Sequence, residues 1–189
     1  MSSLIATLAE RLTPEAARQP AAAAEGRRRA AVAVVLHEAP MPRVLLMQRA
    51  ERVGDPWSGH ISLPGGRFEP TDPSLLATAI RESHEELALD LSTMRLLGAM
   101  PSLHPFTSGP PGIEVTPFVF ATEAVVPTVC GPEAVSAFWL PLDQAAAGVL
   151  DCTYTYPGTT RTFPSWSYEG HVIWGLTWRI LGDVLAASR

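Results

Sequence analysis

Between residues 64 and 89 the chain reads Pro64-Gly65-Gly66-Arg67-Phe68-Glu69-Pro70-Thr71-Asp72-Pro73-Ser74 and continues Leu75-Leu76-Ala77-Thr78-Ala79-Ile80-Arg81-Glu82-Ser83-His84-Glu85-Glu86-Leu87-Ala88-Leu89. Asp72-Pro73-Ser74 has the form of a helix N-cap with proline at the first helical position, which predicts a helix from about Pro73 to Ala88. On that helix Leu76, Ile80, Ser83 and Leu87 share one stripe, while Glu82, Glu85 and Glu86 gather on the opposite side. Like charges three and four residues apart cost about 0.2–0.5 kcal/mol per pair, and a divalent cation would remove that cost. Oxygen-only ligands without paired His or Cys favour Mg²⁺, with Mn²⁺ as a substitute, over zinc. Such an ion suits a diphosphate substrate, whose oxygens it neutralises while activating water. Gly65 and Gly66 let the backbone approach the helix, and the Gly66 carbonyl could be a further metal ligand. Taken alone, the same charges would be an ordinary solvated helix face.

Upstream of this stretch, Ala30 to Leu36 is a continuous apolar run of strand length and Arg43 to Arg49 is a second, with Pro40 and Pro42 between them, so adjacent strands are predicted. The Gly- and Pro-rich stretch from Val53 to Gly66 reads as irregular. Downstream, Met94–Met100, Glu114–Phe120 and Val135–Leu140 read as strands, and Ile173–Ala187 as a largely apolar closing helix. Leu4, Ile5, Leu8 and Leu12 stand at helical spacing, followed by a linker through Gln19–Gly26. The predicted organisation is an N-terminal helix and linker over 1–26 and a single domain over 27–189. Strands interleaved with helices indicate a layered α/β domain.

The composition of the 189 residues, 47% hydrophobic and 17% charged, is that of a packed globule rather than a disordered chain. A net charge of −5 gives no global attraction to nucleic acid or to an anionic membrane, so an anionic ligand must be held by local arginines or by a metal. All fourteen basic residues are Arg, a bias that points to a GC-rich bacterial genome. Cys130 and Cys152 form neither a disulfide framework nor a zinc motif, which indicates a reducing cytoplasm. No charged-then-apolar leader and no uninterrupted membrane-length apolar segment is seen, so no membrane association is expected.

Gly66, Asp72, Arg81-Glu82, Glu85-Glu86 and Leu89 resemble the Nudix box, G-x5-E-x7-R-E-U-x-E-E-x-G-U with U a bulky aliphatic residue. Gly66 takes the box glycine, Asp72 the first acid, Arg81 and Glu82 the Arg-Glu pair, Glu85 and Glu86 the paired glutamates, and Leu89 the final aliphatic. The departures are one extra residue between Asp72 and Arg81, Asp for the first Glu, Ser83 in the aliphatic slot and Ala88 for the second glycine. The resemblance implies an α/β/α sandwich with a mixed β-sheet and a diphosphatase in which Glu82, Glu85 and Glu86 bind metal. It also implies that Arg81 orients the glutamates. Leu45-Leu46-Met47-Gln48-Arg49-Ala50, then Gly59, then Leu63-Pro64-Gly65-Gly66 is similar to the segment preceding the box in the Nudix branch of coenzyme A diphosphatases. So are Thr116-Pro117-Phe118-Val119 and Trp174-Gly175-Leu176-Thr177. Cleavage of coenzyme A or an acyl derivative to 4′-phosphopantetheine and 3′,5′-ADP is the implied activity. Nucleotide sugars, dinucleoside polyphosphates or nucleoside triphosphates are alternative substrates, and a non-catalytic sensor of a nucleotide metabolite is the alternative of another class.

Arg49 and Arg67 flank the Gly-rich segment and are candidates to hold substrate phosphates; surface pairing explains them equally well. Glu133, in the loop Gly131-Pro132-Glu133, resembles the position from which many Nudix enzymes draw a further acid. Arg27-Arg28-Arg29 could meet a phosphate, although such a run is usually solvated. Trp57 could stack on an adenine or line a pantetheine channel, and core packing explains it equally well; Trp139, Trp166, Trp174 and Trp178 are assigned to the core or a subunit interface and both cysteines to packing. The N-terminal helix could serve a homodimer contact or pack on its own domain.

Overall fold

The computed structural model describes residues 3–14, 28–54, 57–105 and 112–189; the linker, Arg27, Asp55 and Pro56 lie outside them. Helix α1 (Leu4–Arg11) is capped by Ser3. Strands β1 (Arg28–His37) and β2 (Arg43–Arg49) are followed by the short β3 (Ile61–Ser62) and β4 (Gly65–Arg67), and then by helix α2 (Leu75–Leu87). Next come β5 (Arg95–Ala99), β6 (Ile113–Thr122), β7 (Ala134–Pro141) and the short helix α3 (Leu142–Ala146). Strands β8 (Asp151–Thr155), β9 (Thr162–Tyr168) and β10 (His171–Trp174) lead into the closing helix α4 (Gly175–Ala187).

The main sheet runs β3-β2-β1-β6-β5, with β4 added to β1 and β7 to β2. It is mixed: β1 lies parallel to β6 from Arg28↔Ile113 to His37↔Thr122, and the other pairings are antiparallel. The run Ala30–Leu36 is apolar throughout because both faces of β1 are covered. Ala31, Ala33 and Val35 pack with Ala79 and Leu87 of α2. Val34 and Leu36 pack with Ile180, Leu181, Val184 and Leu185 of α4. This is the expected sandwich. Among the described residues no helix is long and apolar enough to cross a membrane.

Helix α1 packs within this fold, with Leu8 fully buried in the α4-side core. Its Arg11 donates hydrogen bonds to the carbonyls of Ala187 and Arg189 at the end of α4. Helix α1 thus packs on its own domain through Leu8 and Arg11.

Several local expectations are corrected. The β8–β9–β10 sheet was not anticipated, and the closing helix starts at Gly175 because Ile173 and Trp174 pair with Trp166 and Ser165 of β9. The stretch before the box is not wholly irregular, since β3 and β4 complete edges of the main sheet. Ser74 caps α2, accepting from the Ala77 N–H at 3.1 Å, while Asp72 faces elsewhere. Cys130 is exposed rather than packed.

Helix α2 ends on Ala88, which occupies the slot of the box's second glycine with φ 53° and ψ 30°. A left-handed conformation costs a non-glycine residue roughly 1–2 kcal/mol, partly offset because alanine has less unfolded-state entropy to lose. Ala88→Gly is expected to stabilise the fold by about 0.5–1 kcal/mol, read as a higher denaturant midpoint at unchanged m.

Candidate active site

The site forms where β4 passes beneath α2. Arg81 projects from the middle of α2, and Asp72 fixes its direction. Its Nε lies 3.0 Å from Asp72 Oδ1 and its Nη2 3.0 Å from Oδ2, a two-pronged pair on a carboxylate whose side chain is only 5% exposed. Asp72 Oδ2 also accepts from the Thr78 hydroxyl at 2.8 Å and the Glu69 N–H at 3.0 Å. The Arg81 hydrogen bonds, aided by these donors, hold the Asp72 carboxyl well below its usual value, at about 2. With one edge of its guanidinium spent on Asp72, Arg81 turns Nη1 to Glu82 at 3.0 Å and Glu85 at 3.3 Å. Its Nη2 also reaches the Arg67 carbonyl at 3.2 Å.

The acidic face expected from the helical wheel is not a solvated one. Glu86 is 1% exposed, on the buried side with Ala79, Ser83 and Leu87. Only Glu85 is substantially exposed. The backbone of β4 makes this tenable, because the Gly65 N–H donates to Glu86 Oε2 at 2.8 Å. Burial pushes the Glu86 carboxyl up to about 8 against that hydrogen bond; the neighbouring Glu82 and Glu133 charges add to the rise, and Arg49 opposes it. Burial likewise raises Glu82, with Arg81 opposing and the charges of Glu85 and Glu133 adding.

The two glycines serve different clearances. Gly65 has φ +148°, and a Cβ there would run into the Ala31 carbonyl and Val32 Cα of β1. A Cβ at Gly66, opposite Ala31 in the ladder, would fall on the Glu82 carboxylate. Gly65 therefore lets β4 lie close on β1, and Gly66 makes room for the acid helix.

Glu133 enters from the loop that closes the C-terminal end of α2, where Val129 N–H donates to Leu87 O at 3.0 Å and Gly131 N–H to Glu86 O at 2.8 Å. Its carboxylate pairs with Arg52 at 3.1 Å. Arg49, half-buried at the end of β2, is near enough for its charge to act on Glu86, whereas Arg67 is exposed on β4. Arg28 donates to the Gly112 carbonyl and Arg29 lies over the Phe68 ring at 4.4 Å.

Arg81, Glu82, Glu85 and Glu86 thus lie together, with Glu133 and Arg49 within electrostatic reach. The pairing of Arg52 with Glu133 and the Gly65 N–H bond to Glu86 were not foreseen; Arg52 stands just before the Gly-rich stretch, and its partner lies in another loop far along the chain. Among the described residues no three His, Cys, Asp or Glu side chains converge as ligands of one ion, because Arg81 draws Glu82 and Glu85 while Gly65 holds Glu86. The donor set nevertheless fits a hard divalent cation. It consists of oxygens alone, and it combines the buried Glu86, which has the Gly65 N–H as its donor, with the partly buried Glu82.

This combination, a mixed sheet between helices with an arginine-clamped acid helix laid over a glycine strand, defines a class. A family model for the NUDIX domain matches residues 27–156. Nudix hydrolase NudL of Salmonella paratyphi B is 35% identical over 162 residues, spanning 83% of this chain and 81% of that protein. The fold is also that of a NUDIX hydrolase from Alicyclobacillus acidocaldarius, with a TM-score of 0.58 at 17% identity over 88% of this chain and 95% of the other. An Ap4A hydrolase from C. elegans shares it with a TM-score of 0.52 at 20% identity over 64% and 84% of the two chains. The chain belongs to the NUDIX family and is a hydrolase acting on phosphoanhydride bonds. Hydrolases of this family use divalent metal ions.

Proposed function

We propose that this hydrolase is Mg²⁺-dependent and cleaves the diphosphate of coenzyme A or an acyl derivative, releasing 4′-phosphopantetheine and 3′,5′-ADP. The observation that carries the diphosphatase chemistry is the Asp72–Arg81 clamp, which steers Arg81 onto Glu82 and Glu85 beside the buried Glu86. Glu82, Glu85 and Glu86 would hold the cation, with Gly66 offering a backbone oxygen from β4. The ion supplies neutralisation of the diphosphate oxygens and a more acidic water. Arg81 keeps the glutamates oriented through Asp72 rather than touching substrate. Arg49, whose charge reaches Glu86, and the exposed Arg67 would receive phosphate oxygens. Glu133 supplies a further acid from the opposite loop.

The choice of coenzyme A is supported by the segment Leu45–Gly66, which folds as β2, β3 and β4 and delivers Arg49 and Gly65 to the acid helix. It is supported also by an aromatic surface beside that segment. His60 packs edge-on against Trp174 at 5.2 Å, and Trp174 stacks on Tyr154 at 4.4 Å with Phe163 and Tyr156 adjoining. Such a surface suits an adenine ring or a pantetheine arm. The two free thiols accord with a cytoplasmic setting.

The test is turnover with Mg²⁺ on coenzyme A, acetyl-coenzyme A, ADP-ribose, diadenosine polyphosphates and nucleoside triphosphates, with Glu85→Gln beside the wild type. Coenzyme A is expected to be the best substrate, and Glu85→Gln to lose about a hundredfold or more in kcat. Preference for another diphosphate would sink the substrate assignment and leave the chemistry; no turnover on any would favour a binding role.

A further inference from the structure

Two loops flanking the acid helix are joined to one another through Arg52 and Glu133. Arg52 Nη2 stands 3.1 Å from Glu133 Oε1, with both side chains about half exposed. Beneath that ion pair the Ala50 N–H donates to the Glu133 carbonyl at 2.9 Å. The Arg52 N–H donates to Ser58 Oγ, and the Ser58 hydroxyl reaches back to the Ala50 carbonyl at 3.4 Å, so the guanidinium springs from a tied turn. The Glu133 loop is equally anchored on its other side. Gly131 donates to the Glu86 carbonyl and sits so close to the Glu85 carbonyl that no Cβ would fit. The backbone at 131–133 is therefore fixed against α2, and the freedom left to Glu133 is the rotation of its side chain.

That carboxylate is close enough for its charge to act on both Glu82 and Glu86. Placing it among three further glutamates without a cation is opposed by Coulomb repulsion in a partly desolvated space. Its positive partner in the structure is Arg52, and the paired carboxylate is about half exposed. We propose that Arg52 is a positioning residue that holds the Glu133 carboxylate off the acid group until a divalent cation takes Arg52's place as its positive partner. The inference rests on the reading of Glu82, Glu85 and Glu86 as the cation site. A half-exposed ion pair is weak, so a divalent ion already held by other carboxylates can outcompete it. The exchange needs only side-chain rotation, because the Ala50–Glu133 and Gly131–Glu86 backbone bonds remain in place.

The experiment is Mn²⁺ binding, followed by the electron paramagnetic resonance signal of free Mn²⁺, for wild type, Arg52→Ala, Arg52→Lys, Glu133→Gln, Arg52→Ala/Glu133→Gln and Glu86→Gln. Removing the competitor should tighten Mn²⁺ binding about twofold to fivefold in Arg52→Ala, Arg52→Lys should stay near wild type, and Glu133→Gln should bind more weakly. The deciding comparison is the double variant, which should bind no more tightly than Glu133→Gln alone. Equal tightening in both backgrounds would mean that Arg52 acts by general repulsion of the cation, and unchanged or weaker binding in Arg52→Ala would mean that it does not compete; either overturns the proposal. Wild-type binding that Glu86→Gln abolishes keeps the cation site secure whatever Arg52 does. Absence of wild-type binding, or indifference to Glu86→Gln, removes that site and the proposal together.

Discussion

The Glu86→Gln protein should turn over its diphosphate substrate at least about a hundredfold more slowly than wild type and yet, without metal, unfold less readily. The first effect follows from losing a buried anionic oxygen at the proposed cation site. The second follows from the burial of Glu86, which is 1% exposed and has one N–H, that of Gly65, to stabilise it. Glutamine keeps an oxygen for that N–H and removes the charge. The sign of the pH dependence can be worked out from the carboxyl's rise from 4.5 to about 8. Between those values the folded chain retains a proton that the unfolded chain has released, so the stability of the metal-free wild type declines as pH climbs from about 4.5 to 8. Below that window Glu86 is protonated in both states and contributes no slope. Glu86→Gln should abolish this decline and be more stable by a few kcal/mol, roughly, at the alkaline end. Unfolding in chelator across pH 5–9 measures it; identical slopes in the two proteins would contradict the account.

Arg81→Ala should cost about 3–5 kcal/mol of folding stability, because it strands the Asp72 carboxylate, 5% exposed, with the Thr78 hydroxyl and Glu69 N–H alone. Arg81→Lys should recover only part of this, since an ammonium cannot match both carboxylate oxygens. Asp72 is held down at about 2 from 3.8. The pair therefore stabilises the fold fully above about pH 4 and loses that contribution as pH falls through 2. Arg81→Ala should accordingly move acid unfolding to higher pH. Removing both partners in Asp72→Asn/Arg81→Ala should cost less than the sum of the single changes. Strict additivity in chemical denaturation would show that the clamp does not operate as a unit.

The central strands were legible because β1, β2 and β6 are covered on both faces, so that β1 and β2 read as apolar runs and β6 is apolar from Pro117 to Ala121. The acid helix was legible from its motif, on which Arg81 contacts Glu82 and Glu85. The depth of Glu86 was not legible, because a helical wheel places glutamates outward and carries no information on β4 crossing beneath. Asp72-Pro73-Ser74 looked like a cap centred on Asp72, yet the pull of Arg81 takes that carboxylate and leaves Ser74 to cap. The small sheet escaped notice because Pro157-Gly158 and Pro164 break its pattern, and pairing such as Tyr154↔Phe163 is decided between strands. Arg52 and Glu133 are joined only by the folded backbone, so neither predicts the other.

The parallel pairing of β1 with β6 has a kinetic consequence. Strand β1 is made early during synthesis, but its long neighbour is made only after α2 and β5, and the β2 partner β7 later still. Until β6 arrives, β1 has only short antiparallel partners to hold it, and the loop closure needed for the parallel pairing is slow. The acid helix, which packs on β1 and β4, would then acquire its final placement late in folding. Nascent chains should accordingly be open to proteolysis until the strand around Val119 has left the ribosome, and the active site should be assembled after most of the chain has been translated.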